Sequence, residues 1–158
     1  MKLTLIVLLM AALTAAHAED AEKNKPKNAH LFAAECSTIW PHMIQTFTET
    51  GFQPLFTDMD AGVATFKYPG VSIGDDAKQD VTTFTTREHR WHDYWRGFRI
   101  DSTSVTLAAD GTSCNVTIVM RFAASFGTNR NPPWFRYASS YALENGLLAT
   151  IAAKWQER

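Results

Sequence analysis

Between His30 and Phe52, apolar residues recur at Phe32, Cys36, Ile39, Trp40, Met43 and Phe47. Steps of three and four keep one side of a 3.6-residue helix apolar, so the spacing predicts a helix packed on a sheet. Gly51 follows as a residue that accepts the left-handed conformation at which many helices stop. Pro41 lies inside the pattern, removing one backbone donor and biasing Trp40 away from helical geometry. The apolar phase continues across it, so the pattern predicts one kinked helix.

Downstream the period changes. Phe52 to Thr57 and Val63 to Tyr68 read as strands joined around Asp58-Met59-Asp60-Ala61-Gly62, with Pro54 suited to an edge. Asp58 and Asp60 lack the further oxygens in register that a calcium loop needs, so the segment reads as a turn. Pro69 to Asp80 reads as loop; without Lys-Ser/Thr after its glycines and with no helix expected to follow, it is not a phosphate loop. Val81 to Arg90, rich in threonine, suits a strand with one wet face.

The clearest alternation surrounds Asp110-Gly111. A two-residue turn there pairs Leu107 with Cys114, Val105 with Val116 and Thr103 with Ile118. Val105, Leu107, Cys114, Val116, Ile118, Met120 and Phe122 then share one face, and Ser104, Thr106, Ser113, Asn115, Thr117 and Arg121 the other. A slip of one residue inverts that separation. Asn131-Pro132-Pro133 then introduces a second helical pattern: Trp134, Ala138, Tyr141, Leu148, Ala152 and Trp155, widened by Leu147 and Ile151, with a start near Ser139 or Ser140 as the alternative. The order is helix, about five strands, helix, with connections short enough for antiparallel neighbours. The fold class is therefore α+β, with both terminal helices on one face of an antiparallel sheet.

Residues 1–18 change the setting. Lys2, the apolar run Leu3 to Leu13 and Ala16-His17-Ala18 have the layout of an export signal cleaved before Glu19. The run is too short for a permanent span, and no cysteine follows it to carry a lipid. Residues 19–28 are polar and charge-dense and read as a disordered lead-in, leaving 29–158 as a single domain. After cleavage 14 basic residues face 16 acidic ones, a formal charge of −2 that argues against general nucleic-acid binding. The expected location is periplasmic or secreted. Cys36 and Cys114 are the only two cysteines, so Cys36–Cys114 is the one intramolecular disulfide an oxidising compartment could form.

Ile39-Trp40, Gly51-Phe52, a short hairpin ending in Gly62, and Leu143-Glu144 followed by Leu147-Leu148 and Ile151 carry a resemblance. In these the chain resembles small envelope proteins and lipoproteins of Gram-negative bacteria, and more distantly the helix-grip domains of the outer-membrane assembly lipoprotein BamC. It departs from the lipoproteins in lacking the lipidated cysteine. The resemblance implies a non-enzymatic envelope role and supplies no catalytic residues.

The densest chemistry lies between Arg87 and Arg99. His89, His92 and Asp93 could ligate a metal or serve a hydrolase-like enzyme. Zinc would want a further ligand, and beyond the leader only His30 and His42 remain, in no recognisable spacing. No Ser or Cys sits in a nucleophile elbow. Arg87, Arg90, Trp91, Tyr94, Trp95 and Arg96 combine the residue types enriched at binding surfaces, arginine forking carboxylate or phosphate beside aromatic rings. The alternative is that the rings plug an open end of the sheet while the arginines stay wet. Asn115-Val116-Thr117 matches a glycosylation sequon but falls mid-strand. The reading is a protein without cofactor or metal that binds another envelope component. The alternative to it is a carrier of small apolar ligands, which predicts an apolar cavity of several hundred Å³ between helices and sheet.

Overall fold

The computed structural model describes residues 28–86 and 95–156. The leader, almost all of the lead-in, and Arg87, His89, Arg90, Trp91, His92, Asp93 and Tyr94 lie outside those residues. Among the described residues, ten elements follow one another: β1 (Ala29–Phe32), α1 (Cys36–Glu49), β2 (Gln53–Asp58), β3 (Val63–Lys67), β4 (Val71–Ser72), α2 (Gly74–Phe84), β5 (Trp95–Asp110), β6 (Ser113–Phe126), β7 (Trp134–Tyr137) and α3 (Ala142–Gln156). The strands form one seven-stranded sheet, every pair antiparallel. This is the α+β class the sequence predicts, with more strands and a third helix.

The β5–β6 hairpin is the spine. Its order is β1-β6-β5-β3-β2, with β4 added to β5 and β7 to β6. Val105, Leu107, Cys114, Val116, Ile118, Met120 and Phe122 are all buried on the face that meets the helices. The register differs from the expected one. Asp110 pairs with Ser113, Leu107 with Val116 and Val105 with Ile118, so the turn residues are Gly111 and Thr112. A left-handed φ of 61° at Gly111 explains why glycine opens this turn. The shift is two residues, a full side-chain period, so the faces are unchanged.

The expected first helix begins late. His30 and Phe32 belong to β1, where Phe32 lies opposite Cys114, and even Asn28 exchanges hydrogen bonds with Ile118. Edge pairing satisfies this backbone before the helix starts at Cys36. From there α1 runs through Pro41, and Ile39, His42, Met43, Thr46 and Phe47 are buried. Phe47 stacks on Phe66 of β3 at 4.3 Å and meets Phe52 edge-on. Each such ring contributes roughly 1.5–3 kcal/mol through burial.

The segment 69–86 is not loop and strand. Residues 71–72 form β4, and Gly74–Phe84 is helix α2, burying Ala77 and Val81. The hydroxyls of Thr82, Thr83 and Thr85 donate to the carbonyls four residues back, which is how a threonine-rich stretch is held as helix. A helix does follow the glycines, but Asp75 and Asp76 occupy its first turn, where their charge opposes a bound anion. Phe84 faces Phe98 and Phe122, so α2 shares the face used by α1 and α3.

Trp134 to Tyr137 is likewise strand rather than helix, pairing with β6 from Phe122 to Ser125. Helix α3 starts near Ser140, the alternative start. Ser139 Oγ accepts the Tyr141 N–H and donates to Glu144 Oε2, both at 2.8 Å. Tyr141 takes φ 66° and accepts the Asn145 N–H, the first bond of the helix.

The disulfide joins Cys36 to Cys114 with Cα atoms 4.9 Å apart, inside the range a bridge requires. It ties the first turn of α1 to the residue opposite Phe32. No helix among the described residues is long and apolar enough to cross a membrane.

Candidate functional site

At the end of the sheet away from the disulfide, α1 gives way to Thr50 and Phe52, and β3 gives way to Tyr68, Pro69 and Gly70. There β3 and β4 pair with separate parts of β5, at Thr103–Thr106 and Phe98–Arg99. A bulge at Asp101 separates them and turns the strand locally. The interruption leaves room for a cleft of about 380 Å³ between the helices and the sheet. The volume lies within the range of small-molecule sites.

Its walls are apolar side chains from four elements and their connections. Phe52 and Tyr68 lie on one side with ring centroids 5.0 Å apart. Phe84 and Phe98 are stacked, and Leu143 and Leu147 of α3 also line the cleft. The polar lining includes Thr50, Ser72, Asp80 and Arg99. Ser72 Oγ is buried and has no hydrogen-bond partner among the described residues, so it is available to a ligand or a water. Six large apolar side chains with a few placed polar groups can hold a small body by burial and orient it by hydrogen bonds.

Of the residues the sequence nominates for binding, two are described. Trp95 is buried at 6 % exposure beside Phe126, so its ring belongs to the core end of the sheet. Arg96 is exposed, and its Nε donates to the Gly127 carbonyl at 3.1 Å. Arg87, Arg90, Trp91 and Tyr94 lie outside the described residues, as do His89, His92 and Asp93. Among the described residues no three His, Cys, Asp or Glu side chains converge in a metal-binding group. Asn115 of the sequon faces away from the helices and is half-buried.

The cleft residues were not nominated one by one from sequence. Their signal is the spacing Ala77, Val81, Phe84, steps of four and three that mark α2 and place Asp80 and Phe84 beside the sheet. The chain matches no family model and no curated protein sequence.

Proposed function

We propose that this chain is an extracytoplasmic binding protein whose cleft takes a small, mainly apolar ligand carrying one hydrogen-bonding group. The carrying observation is the 380 Å³ cleft lined by Phe52, Tyr68, Phe84, Phe98, Leu143 and Leu147. A module that only docks another protein has no need of such a hollow, which favours the carrier reading over the envelope-partner one. Ser72 Oγ and Asp80 suit a ligand that offers a donor at one end. The bridge between Cys36 and Cys114 agrees with an oxidising compartment, as does the leader-like start of the sequence.

A neutral fluorophore, N-phenyl-1-naphthylamine, tests the cleft directly. Its emission should rise and shift to the blue on mixing with the oxidised protein. Leu143→Trp, which enlarges a half-buried wall residue, should weaken that binding at least about tenfold, and so should Thr50→Trp at the exposed rim. Melting temperatures of both variants should stay near the parent's. Absence of enhancement in the parent, or unchanged binding in both variants, would remove the cleft as a ligand site.

A further inference from the structure

We infer that the sheet face not covered by helices docks against an anionic lipid surface. The proposal rests on side chains other than the apolar cleft walls of α2 and α3, although Val71 and Arg99 border both regions.

The register places the relevant side chains on one face. Ala123 pairs with Arg136 on one flank and with Arg99 on the other, and Arg121 lies two residues along β6. Residues directly opposite in antiparallel strands, and those two apart in one strand, project to the same side. Three arginines therefore surround Ala123, which is only 1 % exposed although no helix lies over it. Arg121 and Arg136 are exposed, and no acidic partner appears for either among the described residues. Arg99 pairs with Asp101 at 2.7 Å and lays its guanidinium 4.2 Å from the centre of the Trp134 ring.

Trp134 itself lies over Gly97. A Cβ there would stand 2.8 Å from the ring and 3.3 Å from Val71, so only glycine lets both side chains rest on the strand. Trp134 and Val71 nevertheless stay 40 % and 51 % exposed. Val119 shares this face and is also exposed. Beside the cluster is a hollow of about 490 Å³ bordered by Lys67, Arg99 and Ser102, by Asp101, and by the apolar Leu55 and Tyr68, so that groups able to hold a phosphate stand next to apolar carbon.

Charge decides the partner. The whole chain is slightly acidic, yet around Ala123 this face carries Lys67, Arg99, Arg121 and Arg136 against Asp101. Asp58 and Asp110 share the face only at its far end, by the two hairpin turns, while Asp75, Asp76 and Asp80 belong to α2. Cations on a flat surface, interspersed with an exposed tryptophan and aliphatic side chains, match a membrane interface: phosphates outside, apolar carbon just beneath. A soluble anion would use the arginines but leave Val71 and Val119 without a role.

Flotation of the full-length oxidised chain with vesicles tests this. Any partitioning through the apolar Leu3–Leu13 run is common to every arm. The chain should float with mixed phosphatidylcholine–phosphatidylglycerol vesicles more strongly than with phosphatidylcholine alone, and high salt should abolish the difference. Arg99→Gln/Arg121→Gln/Arg136→Gln should weaken the anionic-vesicle component about 100-fold. Arg121→Gln/Arg136→Gln, which leaves the Arg99 contacts in place, should weaken it about tenfold or more. Lys78→Gln on α2 should leave it unchanged. Equal flotation with both vesicle types overturns the proposal. So does an undiminished double variant that melts like the parent, or binding to glycerol 1-phosphate without vesicle binding.

Discussion

Gly62 shows how closely single positions are fixed. It closes the β2–β3 turn with φ 64°, and a Cβ on it would collide with the carbonyl oxygen of Leu107. The same two residues are bonded, Leu107 N–H donating to the Gly62 carbonyl at 2.7 Å. Gly62→Ala is expected to cost about 2–4 kcal/mol, left-handed strain plus a backbone collision. Gly111→Ala has the strain but open space around it, and should cost about 1–2 kcal/mol. Melting the two variants side by side checks this; equal losses would show that the collision is relieved without cost. At this scale the sequence was readable where alternation was strict. The β5–β6 faces follow from it, and the turn position does not, because moving the register by two leaves every side chain on its own face.

Elements were legible when one period ran uninterrupted. Helix α1 was, once edge pairing took away its first residues. Helix α2 was not: it buries only Ala77 and Val81, and its threonines look like strand until their hydroxyls are seen bonded within the helix. Strand β7 was hidden by the prolines before it and by a chance helical spacing from Trp134 to Tyr141. The packing of α3 on α1 includes a contact that neither helix reveals alone, Lys154 Nζ donating to Glu49 Oε2. Hydrogen bonds from Lys154 first and Gln45 second hold the Glu49 carboxyl below its ordinary value. A depressed folded-state pKa adds stability above the unfolded value, near pH 4.5, which is lost as pH falls through the folded one. Glu49 is exposed, so the effect is small and screened by salt. Glu49→Gln should melt slightly below the parent at neutral pH, and the two curves should converge in acid. A constant offset down to acid pH would contradict the assignment.

For the whole molecule, the class, the covered face and the Cys36–Cys114 pairing were all within reach of the sequence, since each rests on residue type and periodicity. A cavity between helices and sheet stood in the sequence only as what the carrier alternative predicts; its place and walls were not legible, because it arises where two short strands share one long neighbour and leave a gap, a matter of tertiary spacing. The bridge has a consequence for how the molecule bears load. Its 78-residue separation encloses α1, α2 and strands β2 to β5, and with them every cleft wall except Leu143 and Leu147. Tension applied through the two ends of the chain bypasses that loop: β1, α3, β7 and β6 beyond Cys114 can be drawn out, while the enclosed residues add no length. Pulled between Asn28 and Gln156 in an optical trap, the oxidised protein should extend about 270 Å less than the reduced one, the contour length of the enclosed segment. Equal extensions would mean that the bond does not carry the load. With it in place, α3 is the one cleft wall left outside the closed loop, like the cover of a box whose other sides are fastened.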